Sequence, residues 1–139
     1  NAIDEERILR DREYTDPLDE LEPVMSAHEV VELQRAVANV SVDDALVAYL
    51  MRIVTATRES EMLDLGVSPR GTLALFRAAQ ALALGEDRSY CIPDDIKRLV
   101  VPVFAHRITV SSRFSSSLRR SEEAEAVLHE ILKTVSVPL

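Results

Sequence analysis

The chain has 139 residues, 24 acidic against 16 basic side chains, a formal charge of −8 and a hydrophobic fraction of 47%. That apolar content suits one compact domain and exceeds that of a disordered tail, while the acidic balance opposes binding to a nucleic-acid backbone. No apolar run nears the ~18 residues that would suggest a membrane span, no secretory leader pattern is present, and the single Cys91 cannot close an internal disulfide, so no membrane insertion and a cytoplasmic location are expected.

The chain begins at Asn1 without methionine, and Ile3 onward reads as if it starts in mid-protein, so a fragment of a longer polypeptide is expected. Asp4 to Glu13 reads as a short charged helix with Ile8 and Leu9 as its apolar anchor. Tyr14 to Met25 carries Pro17 and Pro23 among acids and reads as an extended acidic linker. Ser26-Ala27-His28-Glu29 has capping-box spacing, and Val30, Leu33, Val37 and Val40 follow at helical spacing as a stripe for burial. The division this predicts is an N-terminal helix and linker over 1–25 and a helical domain over 26–139.

Asp43 and Asp44 open the next and longest helix, to about Glu59, with Leu46, Tyr49, Leu50, Ile53, Val54 and Thr57 as its buried face. Arg58 ends that helix, where the dipole favours a cation. A loop from Glu59 to Val67 leads to a helix capped by Ser68, with Leu73, Leu75, Phe76, Ala79, Leu82 and Ala83 inward and Gly85 closing it. Pro93 starts another helix, with Asp94 and Asp95 in its positive first turn and Ile96, Leu99, Val100, Val103 and Phe104 on one face; Pro102 should end or kink it. Ile108 to Val110 reads as a short strand or extended chain, Ser111 to Ser121 as a mobile serine- and arginine-rich loop, and Ser121 to about Val135 as the last helix. The fold class is therefore all-α with five to six helices, and at most one short hairpin near 108–118.

The chemistry is sparse. There is no Gly-x-x-x-x-Gly-Lys-Ser/Thr loop, and glycines at 66, 71 and 85 alone cannot build a phosphate cradle, so the chain lacks the parts for ATP hydrolysis and no catalytic residue is expected in it. His28, His106 and His129 follow no catalytic spacing, no Cys/His cluster has metal-ligand spacing, and Cys91 reads as a small buried apolar residue. Asp94 and Asp95 are explained by the helix start. Arg113, Arg119 and Arg120 lack interleaved aromatics beyond Phe114, so a nucleic-acid arm is not expected. Charge is uneven: residues 1–69 hold 16 acids against 6 bases, residues 70–139 hold 8 against 10.

The feature that stands out is Gly66-Val67-Ser68-Pro69-Arg70. Ser68 can cap, Pro69 fits the first helical position, and Arg70 then sits in a first turn whose dipole disfavours a cation. A guanidinium beside unpaired backbone donors suits an anion such as a phosphate; a capped helix with a solvated arginine is the plainer alternative. Together with Thr57-Arg58, Tyr90, Pro93-Asp94-Asp95 and His106-Arg107, in that order, the segment resembles the C-terminal lid of MoxR-type AAA+ ATPases, from about Ser26 to Pro138. The resemblance implies that Arg70 is the sensor-2 residue reaching the terminal phosphates of ATP, with Ser68 and Pro69 beside it and Arg58 and Arg107 in support. It implies an ATPase core domain of the same chain that holds ATP and Mg2+, a homo-oligomeric ring, chaperone-like remodelling or maturation, and a von Willebrand factor A domain protein as partner. Two positions depart from the family: Gly71 replaces the usual alanine, and Ile92 replaces a capping Thr or Ser. The reading from a different class is a stand-alone acidic helical interaction module that binds no nucleotide.

Overall fold

The structure is a computed structural model that describes residues 2–11, 19, 21–113 and 120–138. It forms two units, residues 1–33 and 34–139. In chain order the elements are α1 (Ala2–Asp11), α2 (Ala27–Ala38), α3 (Asp44–Glu59), β1 (Leu63–Leu65), α4 (Pro69–Gly85), α5 (Pro93–Phe104), a 3-10 turn (Ala105–Arg107), β2 (Thr109–Val110) and α6 (Arg120–Thr134). The all-α expectation holds, with six helices among the described residues. Half of the linker read between Tyr14 and Met25, residues 14–18 and 20, lies outside them, as do residues 114–119 of the serine- and arginine-rich loop.

In the first unit, the capping box before α2 forms in both directions. Glu29 Oε2 accepts from the Ser26 amide at 2.7 Å, and Ser26 Oγ accepts from the Glu29 amide at 3.2 Å. The Ser26 amide, together with Ser26 Oγ, which donates to Glu29 Oε2 at 2.7 Å, holds the Glu29 carboxyl below its usual range. The stripe that follows is not buried: α2 has no buried residue, and Val30 and Leu33 are 42% and 46% exposed. Helical spacing aligns apolar side chains, but burial also requires a neighbour to cover them. Only Val40, past the end of α2, enters the core.

The second unit holds the hydrophobic core, centred on Tyr49, Ile53, Leu75, Ile96, Phe104 and Leu128. Asp43 caps α3 by accepting from the Ala45 amide at 2.8 Å, and the six predicted inward residues of α3 are the ones buried. Helices α4 and α5 form the most extensive pair, and α6 closes the bundle against α5 and α3.

Helix α4 differs from its predicted face. Leu73 is 59% exposed, because it lies about 200° around the helix from Leu75 and the two cannot share a face. Gln80 is buried instead, donating from Nε2 to the Val40 carbonyl at 2.7 Å and accepting from Arg77 at 3.0 Å. Nor does Gly85 supply the turn that ends the helix. It is the last helical residue, and the positive φ of 57° falls on Asp87, after which the Arg88 amide bonds back to the Ala83 carbonyl at 2.9 Å.

Pro102 does not end α5. The helix continues to Phe104 and tightens into the 3-10 turn. At its other end Ile92 offers no capping side chain, and the Asp95 carboxylate takes over by accepting from the Ile92 amide at 2.8 Å. Cys91 is a buried free thiol whose pKa burial pushes up, as expected of a packing residue.

The strand pairing also differs from the expected hairpin. Strand β2 pairs antiparallel with β1, Leu63 opposite Val110 and Leu65 opposite Thr109, so the stretch read as loop between Glu59 and Val67 contains half of the sheet. Two strands of two and three residues are too short for an alternating pattern to show. The Ser111 amide extends the junction by donating to the Met62 carbonyl at 2.9 Å.

Candidate functional site

The last turn of α3 and the first turn of α4 meet at Val67. Thr57 is fully buried; its Oγ1 donates to the Val54 carbonyl at 2.6 Å and accepts from the Val67 amide at 3.1 Å. Arg58, one residue on, donates from Nε to the Val67 carbonyl at 2.9 Å. Both polar groups of one buried residue are thus held by adjacent residues of α3. The contact requires a glycine at 66, where a Cβ would lie 2.6 Å from the Thr57 carbonyl oxygen and 2.8 Å from Arg58 Cα. Arg58 therefore does more than satisfy the helix dipole: it fastens the loop that leads into α4.

From Val67 the path to Arg70 has little freedom. Ser68 is the N-cap, its Oγ accepting from the Gly71 amide at 3.3 Å, and Pro69 locks its own φ at the first helical position. Arg70 follows, exposed, with no hydrogen bond or ion pair among the described residues. Arg107, in the 3-10 turn after α5, returns to the same place: its Cδ lies 3.4 Å from where a Cβ on residue 71 would stand. Gly71 is itself explained here, since that Cβ would also lie 2.8 Å from Val67 Cγ1.

All five candidate residues, Ser68, Pro69, Arg70, Arg58 and Arg107, therefore belong to one neighbourhood built from α3, α4 and the 3-10 turn. His106 is exposed in that turn, while His28 and His129 lie on α2 and α6. What sequence reasoning missed is the hydroxyl of Thr57, counted as one more inward residue, and the backbone contact at Gly66. The signal available was a Thr-Arg pair nine residues before Gly-Val.

A cavity of about 700 Å³ lies elsewhere, among residues that include Asp64, Pro102, His106, Val110, Glu123 and Glu125. Three carboxylates in its lining make it a poor receptor for phosphate. Among the described residues no group of three His, Cys, Asp or Glu side chains is placed to hold a metal ion, and no helix is long and apolar enough to cross a membrane.

The class of fold is an all-α bundle carrying a small two-strand antiparallel sheet. The AAA lid domain family matches residues 55–131. The chain is 40% identical over 134 residues to the uncharacterized protein YeaC of Bacillus subtilis (strain 168), covering 95% of this chain and 40% of that protein. It is 34% identical over 124 residues to chaperone MoxR1 of Mycobacterium tuberculosis, covering 83% of this chain and 32% of the relative. A crystal structure described as a putative ATPase from Cytophaga hutchinsonii shares the fold, with a TM-score of 0.78 at 22% identity over 100% of this chain and 44% of the other. The chain belongs to the AAA lid domain family, as the lid of a MoxR-type AAA+ ATPase, and it spans less than half the length of each of these relatives.

Proposed function

We propose that this domain is the nucleotide-sensing lid of an ATP-hydrolysing MoxR-type protein, and that Arg70 is its sensor-2 residue. The observation that carries the reading is an exposed arginine, without a partner among the described residues, in the first turn of a capped helix whose approach is fastened to α3. A guanidinium there, at the positive end of a helix, suits the terminal phosphates of ATP. Ser68 and Pro69 set its position; Arg58 holds the loop, and Arg107 adds positive charge at the same helix end. ATP and Mg2+ are held by an ATPase core domain of the same polypeptide. Hydrolysis removes the phosphate contact and lets the lid turn as a rigid body, so that a local loss of charge becomes domain motion.

For the whole protein this reading gives a cytoplasmic, ring-forming, chaperone-like ATPase that remodels or matures other proteins, with a von Willebrand factor A domain protein as its partner class and no nucleic acid. Residues 1–139 alone turn over no ATP. The test is Arg70→Ala in the full-length protein, with Arg77→Ala, two turns further along α4, as control. A charge-assisted phosphate contact corresponds to about 10- to 100-fold in turnover or nucleotide affinity. Turnover per folded molecule unchanged by Arg70→Ala, or lowered equally by Arg77→Ala, would remove Arg70 from the site.

A further inference from the structure

We propose that Thr57 is a positioning residue for Arg70: its buried hydroxyl ties the last turn of α3 to the residue from which the Arg70 turn departs, and so sets where the guanidinium is delivered. The inference rests on the reading of Arg70 as a phosphate contact and adds the residue that aims it.

The geometry supporting it is a short chain of stiff links. Thr57 Oγ1 bridges the Val54 carbonyl, at 2.6 Å, and the Val67 amide, at 3.1 Å. The first bond directs the hydroxyl proton into α3 and leaves a lone pair for Val67, so the hydroxyl acts as donor and acceptor at once. Its neighbour Arg58 holds the other side of Val67 at 2.9 Å. With both polar groups of Val67 fixed and Gly66 in backbone contact with Thr57 and Arg58, the peptide planes on both sides of Val67 are set by α3. Ser68 then caps and Pro69 has a locked φ, so few soft torsions remain before Arg70. Thr57 touches no nucleotide in this arrangement; it acts through the loop. Any displacement of the α3 terminus relative to α4 is passed to Arg70, and misplacing a reacting or binding group by about 1 Å can change a rate by about 100-fold.

The two variants that separate hydroxyl from shape are Thr57→Val, which keeps the branched side chain and removes the bridge, and Thr57→Ser, which keeps the bridge. In the full-length protein, assayed below its unfolding temperature and normalised to folded molecules, Thr57→Val should lower ATP turnover about 10-fold or more while Thr57→Ser stays within about twofold of wild type. Leu128→Ala, a core truncation in α6, is the control for simple loss of stability and should leave turnover per folded molecule near wild type. The decisive step is the double variant: with Arg70 already replaced by alanine, Thr57→Val should lower turnover no further. If the two losses multiply, or if Leu128→Ala costs as much turnover as Thr57→Val, or if Thr57→Ser falls as far as Thr57→Val, Thr57 does not act by aiming Arg70. Should Thr57→Val not fold, Thr57→Ala, which also removes the bridge, takes its place alone and in the double with Arg70→Ala, and turnover within about twofold of wild type in Thr57→Ala, or more than about fivefold below it in Thr57→Ser, overturns the proposal. Normal turnover in Arg70→Ala alone overturns the phosphate-contact reading itself, a result distinct from failure of the Thr57 coupling.

Discussion

Arg88 closes both of its terminal nitrogens on the carboxylate of Asp95, Nη1 to Oδ2 at 2.7 Å and Nη2 to Oδ1 at 2.6 Å, and so joins the turn after α4 to the first turn of α5. Asp95 is fully buried; the same guanidinium also reaches the Tyr90 carbonyl at 3.0 Å and Glu86 at 2.8 Å, while Arg98 approaches Glu86 from α5. The pair replaces the missing cap at Ile92, since Asp95 also accepts from the Ile92 amide. A residue that looks in sequence like a dipole-satisfying acid is in the structure the buried anchor of the α4–α5 connection.

Removing that anchor leaves Arg88, its side chain only 18% exposed, with Glu86 as its remaining counter-ion. Asp95→Asn should lower the unfolding free energy of the domain by about 3 kcal/mol, the range found when one partner of a buried pair is lost. Burial raises the Asp95 pKa, but the Arg88 hydrogen bonds and the Ile92 amide outweigh it and hold the carboxyl below its ordinary value. A folded-state pKa below the unfolded value of about 3.9 means that the contribution is complete above about pH 4 and is lost as pH falls through the folded value. Urea unfolding between pH 6 and pH 2.5 should therefore show a steeper acid loss for wild type than for Asp95→Asn. Equal slopes would mean that Asp95 contributes nothing through its charge.

Gly66 and Gly85 should respond oppositely to the same substitution. A Cβ at 66 meets backbone atoms of Thr57 and Arg58 at 2.6–2.8 Å, while one at 85 meets nothing within 4 Å. Gly66→Ala should destabilise by about 1–3 kcal/mol or more, as overpacking against rigid backbone does. Gly85→Ala should be neutral or stabilise by up to about 1 kcal/mol through helix propensity. Thermal melts of the two variants decide it, and a harmless Gly66→Ala would mean that the α3 end and the loop are not in the contact described.

Tyr49 offers a prediction of the reverse kind. Its ring is buried in the core with the Arg52 guanidinium 5.8 Å from its centroid, yet its hydroxyl has no hydrogen-bond partner among the described residues. Burial accordingly raises its pKa. An unpaired buried hydroxyl opposes folding, so Tyr49→Phe should leave stability unchanged or raise it by roughly 1 kcal/mol. A loss of more than that on chemical denaturation would show that the hydroxyl has a partner in solution.

Much of this fold was legible because helical periodicity and caps are local. The buried face of α3, the box at Ser26 and Glu29, and the start of α4 at Ser68-Pro69 follow from neighbours within a turn or two. What was not legible depends on contacts distant in sequence. Nothing near Leu63 announces that it will face Val110, and nothing near Gln80 announces the Val40 carbonyl that makes its burial tolerable. Leu73 shows the limit of composition: leucine at a helical position still points outward when its angle is wrong. At the candidate site the arginines could be read from their motif, whereas the Thr57 bridge requires a loop to fold back on α3.

Arg58 and Arg70 lie at the two ends of that loop and should act on stability in opposite directions. Arg58 ends α3, where the dipole favours a cation, and donates to the Val67 carbonyl. Arg70 begins α4, where the dipole disfavours one, and has no partner among the described residues. Arg58→Ala should lower the melting temperature of residues 1–139, with a loss near 1 kcal/mol for the hydrogen bond and a few tenths for the dipole. Arg70→Ala should leave it unchanged or slightly raised, and Arg70→Glu should raise it further, by about 0.3–1 kcal/mol relative to the arginine at low ionic strength. Added salt should erase most of the Arg70 effect and little of the Arg58 effect, because screening weakens a surface charge on a dipole more than a short hydrogen bond. An Arg70 kept against the local field and unneeded for folding is what a ligand contact requires. If Arg70→Ala instead unfolds the domain, the arginine is structural and the site loses its central residue.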